Sequence, residues 1–347
     1  MIDSLPEDLA AKFAEAKTRL REEERKSKQS IKRANHRDEI QFKTTHGLLV
    51  TFFLWIAGVH AIGIFLFTRG FLLTRLVLEQ QSQCEVSPIE GRLTSETDST
   101  LGPAYGCWHP KTFEKVVVVV IDALRFDFTV PYIPLDNTSQ PHYFHNAFTV
   151  LSEVASQEPN NAVLFPFIAD PPTTTLQRLK GLTTGTLPTF IDAGSNFAGS
   201  EIDEDNLVLQ LRTLGKRIAF LGDDTWVALF GKHFEANLTH PYDSLNVWDL
   251  HTVDNGVNEH IFPLLEEKES RKWDVLIGHY LGVDHAGHRY GPDHPAMNAK
   301  LKQMDGVVRS LIEAIDDKTL LVVMGDHGMD PKGDHGGESP GEVEAAL

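Results

Sequence analysis

Carboxylates and imidazoles gather at two places in the C-terminal half of this 347-residue chain. Asp284 and His288 stand in Gly-Val-Asp-His-Ala-Gly-His (282–288). Asp326 and His327 stand in Gly-Asp-His-Gly-Met (325–329), and His335 precedes Gly336-Gly337. Each group follows an apolar run that reads as a buried strand, and a further run, 116–121, ends on Asp122. One Asp-His pair after a strand is usually a hydrogen-bonded loop. Three Asp and three His at the ends of several strands are instead a donor set for two divalent cations, and oxygen with imidazole suits Zn2+. Asp284 and His288, four apart, converge across a helical or a tight turn, and Gly287 permits the tight one. The run Asp-Pro-Pro-Thr-Thr-Thr (170–175) adds hydroxyls. A metal-activated threonine could attack phosphorus, whereas the ordinary reading of such a run is a turn with a threonine N-cap.

These residues need a frame. Residues 116–121 are six consecutive β-branched apolar residues, the composition of a strand buried on both faces. Further strands are expected at 217–221, 273–279 and 320–324. Helices are expected at 204–214, 257–268 and 298–315, the last with Leu301, Met304, Val308, Leu311 and Ile315 on one face. Alternating strands and helices predict an α/β fold with a doubly wound, mixed or parallel sheet. Such sheets bind ligands at the carboxyl ends of their strands, where Asp122, Asp223, Asp284 and Asp326 fall.

The net charge is -17, yet the first 47 residues carry 11 Lys and Arg against 9 Asp and Glu. The acidic body argues against a nucleic-acid partner, but not against a phosphate substrate, because bound cations would dominate the local field. Residues 48–68 contain no Asp, Glu, Lys or Arg, enough for one transmembrane helix of about 20 residues. Seven basic residues between Arg25 and Lys43, against Arg69 and Arg75 beyond the span, put the N-terminus in the cytoplasm and the body in a lumen. The expected organisation is a charged cytoplasmic segment at 1–47, a transmembrane helix at 48–70, a linker at 71–112 and a lumenal catalytic domain at 113–347. Residues 6–37 read as a charged helix or as a solvated tail. Sequons at Asn137 and Asn237 fit a lumenal body, and Cys84 and Cys107 could form a disulfide there.

The strand ending at Asp122, the Pro-Thr-Thr-Thr ending at Thr175, Asp284-x-x-Gly-His288-x-x-Gly-Pro, Gly-Asp326-His327-Gly-Met and His335-Gly-Gly together resemble the alkaline phosphatase superfamily over residues 115–347. Four stretches, 121–128, 170–175, 190–197 and 222–226, resemble the GPI ethanolamine phosphate transferases of the endoplasmic reticulum, of the enzyme-3 (PIG-O) type that modifies the third mannose. The resemblance implies two Zn2+. Asp122, Thr175, Asp326 and His327 would hold one, and Asp284, His288 and His335 the other. Thr175 would be the nucleophile, with Thr174 as the alternative register. The implied donor is phosphatidylethanolamine, and the acceptor is the 6-hydroxyl of a mannose on the GPI lipid. A small membrane protein as stabilising subunit is a further implied partner. Family members continue past His335, so the catalytic domain is expected to be C-terminally incomplete, with 343–347 reading as the start of another helix. Two alternatives accompany this reading: a lumenal nucleotide pyrophosphatase or phosphodiesterase, and a truncated, inactive membrane-bound relative acting as a binding partner. A sulfatase is disfavoured, since no Cys/Ser-x-Pro-x-Arg stands at the nucleophile position.

Overall fold

The computed structural model describes residues 7–70, 79–82, 111–134, 139–187 and 201–347. Cys84, Cys107, the Asn137 sequon, the stretch 190–197 and most of the 71–112 linker lie outside the described residues. The chain divides into two compact units, Met1–Leu72 and Leu73–Leu347.

The first unit is built on one helix, α1 (Glu7–Gly70). The charged segment and the apolar span are therefore a single continuous element. Its polar half carries i,i+4 pairs, Glu15 with Arg19 and Glu39 with Lys43, which favour helix in solvent. Its apolar half is long and apolar enough to cross a membrane.

The second unit is a three-layer α/β/α domain. Its sheet contains β1 (Lys115–Ile121), β3 (Ile218–Asp223), β4 (Thr239–Tyr242), β5 (Val275–Tyr280) and β6 (Thr319–Met324). The order is β4-β3-β5-β1-β6 and every pair is parallel. The Val run of β1 sits between β5 and β6, so both of its edges are paired, and alternate residues serve the helical layers on opposite faces. Val117, Val119 and Ile121 join one core with α6 (Thr252–Leu265) and α9 (Pro295–Ala314). Val120 joins the other with α3 (Thr175–Thr184), α4 (Leu207–Thr213) and α5 (Thr225–Phe230). Leu301, Met304, Val308 and Leu311 of α9 are all fully buried, as their spacing predicts. Each such side chain contributes roughly 1.5–3 kcal/mol of hydrophobic stabilisation.

The remaining described elements are α2 (Val150–Gln157), α7 (Glu267–Ser270), α8 (Gly282–Tyr290), α10 (Pro340–Val343) and two short strands. These strands, β2 (Pro166–Ile168) and β7 (Glu344–Ala346), pair antiparallel. The helix expected at 343–347 is thus a strand. Its sequence favours helix, but Ala346 N–H donates to Leu124 O and Ala346 O accepts from Gly325 N–H, so the chain end is stitched beside β1 and β6. Long-range pairing overrides the local preference.

Candidate metal centre

The carboxyl ends of β1, β5 and β6 lie side by side, and the predicted residues meet there. Asp122 follows β1. Ala123 comes next in the left-handed region at φ 57°, a conformation that turns the chain sharply out of the sheet. Asp326 and His327 follow β6. His327 Nε2 lies 3.4 Å from Asp122 Oδ1 and 3.4 Å from Asp326 Oδ2. Thr175 begins α3, and its hydroxyl donates to Asp122 Oδ2 at 3.3 Å. The hydroxyl of Thr173 is directed elsewhere, to Gly337 O at 2.9 Å.

The second group forms on α8 and the loop after β6. Asp284 and His288 are one helical turn apart; the segment between them is helix, not a tight turn. Asp284 Oδ2 is 3.5 Å from His288 Nε2, and Asp284 Oδ1 is 3.4 Å from His335 Nε2. Gly333 makes this approach feasible: it has φ 87°, and a Cβ there would fall 1.9 Å from Gly287 O. The Nε2 atoms of His288 and His335 stand 3.0 Å apart, a separation that needs a proton or a cation between them. The His327 and His335 rings stack at 4.1 Å, so the two groups adjoin.

Tautomers follow from the backbone. His335 Nδ1 faces Thr173 O at 2.7 Å and His327 Nδ1 faces Gly328 O at 2.8 Å. A carbonyl only accepts, so both Nδ1 atoms carry the proton and both Nε2 lone pairs point at carboxylates. That is the arrangement in which metal-ligating histidines are held. Buried Asp122 Oδ1, Asp326 Oδ2, His327 Nε2 and Asp284 Oδ1 make no hydrogen bond. Such orphans are costly unless a cation satisfies them. The residues present therefore fit divalent cations, and Asp122/Asp326/His327 and Asp284/His288/His335 are each close enough to share one.

The electrostatics agree. Burial and the neighbouring Asp326 and Asp284 push the Asp122 carboxyl well above the usual range. Burial drives His327 down to about 4, against the pull of Asp326. For His335 burial also lowers, but Asp284 and Asp122 outweigh it and raise the group. Packed carboxylates that repel one another store the affinity a cation would draw on.

The type I phosphodiesterase / nucleotide pyrophosphatase family matches residues 141–338, more than half of the chain. The chain belongs to this family. Within it, the chain resembles GPI ethanolamine phosphate transferase 3 proteins. It is 53% identical over 296 residues to that of Schizosaccharomyces pombe, covering 85% of this chain and 30% of the relative. It is 50% identical over 303 residues to the human "GPI ethanolamine phosphate transferase 3, catalytic subunit", covering 86% of this chain and 27% of the relative. The chain thus spans less than a third of these relatives' length. Among solved structures, the zinc complex of the periplasmic domain of EptC from Escherichia coli overlaps 68% of this chain and 68% of its own at 12% identity, with a TM-score of 0.43. A sulfatase-like protein of Bacteroides thetaiotaomicron overlaps 67% and 63%, at 12% identity and a TM-score of 0.46.

Sequence reading missed several residues that this family member places around the centre. His279, inside β5, is fully buried with Nε2 3.3 Å from Asp122 Oδ2. Trp226 Nε1–H donates to His279 Nδ1 at 2.9 Å. Burial lowers the His279 pKa, and Asp122, Asp223 and Asp326 outweigh it to about 9. A second ring proton would nonetheless have to face the Trp226 N–H, so the geometry demands the neutral Nε2–H form. Arg178 ties α3 to the centre, donating from Nε to Asp326 O at 3.2 Å and from Nη1 to Asp170 O at 3.0 Å. Asp254 accepts from the N–H groups of Leu281 and Gly282, both at 3.0 Å, and pairs with buried Lys300 at 3.0 Å, which fixes the start of α8. The polar spacing at Gly222-Asp-Asp-Thr-Trp226 was the available signal for Trp226. A histidine or aspartate inside an apolar element gave none.

Proposed function

We propose that this chain carries the zinc-dependent centre that transfers ethanolamine phosphate from phosphatidylethanolamine to the 6-hydroxyl of the third mannose of the GPI precursor, on the lumenal side of the endoplasmic reticulum membrane. The observation that carries this reading is the Thr175 hydroxyl held against Asp122, at a helix N-terminus, beside two histidines whose Nε2 lone pairs are freed by backbone carbonyls. The relatives' names support GPI as acceptor and ethanolamine phosphate as the group transferred, and the apolar half of α1 supports a membrane setting.

Asp122, Thr175, Asp326 and His327 would hold one Zn2+, and Asp284, His288 and His335 the other. Bound there, the two ions would neutralise phosphoryl charge and lower the pKa of the threonine hydroxyl. The chain's own residues do the positioning. Asp122 Oδ2 orients Thr175 Oγ, and the first turn of α3 points its N–H groups and its dipole at the phosphoryl group. Thr175 Oγ attacks phosphorus, and the bond from phosphorus to the diacylglycerol oxygen breaks. Diacylglycerol leaves with the hydroxyl proton, and phosphoethanolamine remains on Thr175. The mannose hydroxyl then attacks the same phosphorus, the bond to Oγ breaks, and the proton returns to Thr175. The human relative's name as a catalytic subunit supports a further subunit as partner.

The chain incubated with labelled phosphatidylethanolamine, without acceptor, should acquire phosphoethanolamine on Thr175, located by peptide mass spectrometry. Label on Thr174 would shift the nucleophile by one residue, and no covalent label would sink the two-step transfer. The match to the phosphodiesterase family favours one second reading, delivery of the phosphoryl group to water. Rapid hydrolysis of a nucleotide phosphodiester would select it.

A further inference from the structure

His279 sits in mid-sheet, opposite Val120 on β1 and Gly222 on β3, with no access to solvent. We propose that His279 is a positioning residue for Asp122, locked by Trp226 as the Nε2–H tautomer that aims its proton at Asp122 Oδ2. The inference rests on the reading of Asp122 as a cation ligand.

The indole N–H of Trp226 is only a donor, so the His279 Nδ1 it reaches at 2.9 Å must offer a lone pair. The neutral ring then carries its proton on Nε2, which lies 3.3 Å from Asp122 Oδ2. His327 and His335 are held the other way, with Nδ1–H on a backbone carbonyl and Nε2 open. Three imidazoles around the centre thus divide into two candidate ligands and one donor, and the hydrogen bond at Nδ1 sets each choice.

The tautomer also decides a competing possibility. Asp122, Asp223 and His279 offer atoms within 4.8 Å of one another, close enough for a further cation. With Nδ1 taken by Trp226, binding at Nε2 would require an imidazolate, and Asp223 Oδ2 stays 3.8 Å from the ring. The trio is therefore a hydrogen-bonding support. Asp122 Oδ2 accepts from Thr175 and has His279 Nε2 as a neighbour at 3.3 Å, a buried nitrogen with no other hydrogen-bond partner, which leaves Oδ1 as the oxygen facing His327 at 3.4 Å. His279 thereby fixes which carboxylate oxygen is presented to the cation and which to the threonine. Trp226 packs among Phe220 and Phe230, so the indole itself cannot swing away.

Two measurements test this on the intact chain. Long-range proton–nitrogen NMR of the 15N-histidine-labelled protein, with His279 assigned by loss of its signals in His279→Gln, should show Nε2 protonated and Nδ1 bare. A protonated Nδ1 overturns the proposal. Chelator-competition titration with Zn2+ should show one of two sites weakened on the order of 10–100-fold in His279→Ala, as outer-shell partners of ligands generally behave. His279→Gln, whose amide can accept from Trp226 and donate to Asp122, should recover most of that loss. Trp226→Phe, which keeps the ring and removes only the N–H, should fall between wild type and His279→Ala and guards against simple misfolding. Unchanged affinity in all three variants overturns the proposal. A wild type that binds no Zn2+ would instead remove Asp122 as a ligand, while the NMR result still decides the His279 contact.

Discussion

The two candidate ligand groups are built from different materials. Asp122, Asp326 and His327 stand directly on the ends of adjacent strands, with side-chain exposures of 2%, 0% and 0%. Asp284, His288 and His335 come from a helix and a glycine-flanked loop, with exposures of 10%, 27% and 13%. Hydrogen-bonded strands fix the first trio's positions before any cation arrives. The second trio depends on how α8 docks and how the loop closes over it. A rigid buried pocket beside an adjustable rim would suit the proposed transfer, in which one cation would hold the nucleophile and the other would meet exchanging substrates.

Substitutions at one member of each trio would break or sharpen this contrast most strongly. Asp326→Ala removes a fully buried ligand and should abolish the buried cation, reducing phosphoryl transfer by about 10³-fold or more, because the nucleophile's anchor is lost. His288→Ala should leave that cation in place, release only the rim cation, and slow transfer less. Metal analysis of the purified variants checks this directly. Loss of both cations from His288→Ala would mean that the trios are one cooperative site.

Much of this frame is legible in the sequence, for a physical reason. Strands buried on both faces are near-continuous apolar runs, so β1, β5 and β6 announce themselves, and the polar residues after them announce the site. The three-dimensional neighbours do not. His279 reads as one polar residue in a buried strand, and only the pairing of β5 with β1 puts it beside Asp122. Residues 343–347 read as helix because Ala and Glu favour it, and only pairing with β2 makes Glu344–Ala346 a strand. Thr175, and not Thr173, is the hydroxyl that donates to Asp122, a distinction no spacing reveals.

The rim's dependence on docking gives the next effect. Asp254 holds the first N–H groups of α8 and is itself neutralised by Lys300, both almost wholly buried. Asp254→Ala strands the Lys300 ammonium in the core and should cost about 3–5 kcal/mol of stability. The double variant Asp254→Ala, Lys300→Met removes both charges and should recover much of it, while the rim cation still binds weakly because α8 has lost its clamp. Denaturation with parallel metal titration separates the two effects. A double variant with full rim affinity would show that α8 is positioned by packing alone.

Acidity offers the gentlest discrimination between the trios. His327 has an ordinary value of 6.5 unfolded and about 4 folded, so its neutral form contributes stability that is complete above 6.5 and is lost as pH falls toward 4. For a fully buried group that shift amounts to roughly 3 kcal/mol. His335 is raised, so its contribution has the opposite sign, present below 6.5 and lost as pH rises through its folded value. In the metal-free protein, His327→Gln should therefore flatten the acid-side loss of stability, and His335→Gln should deepen it. The same asymmetry orders cation release. A proton reaches the His335 Nε2 at a higher pH than the His327 Nε2, so acidification should empty the rim before the buried pocket, followed with a fluorescent chelator. Release of the buried cation first would mean that neither exposure nor the proton affinity of these imidazoles governs how the centre comes apart.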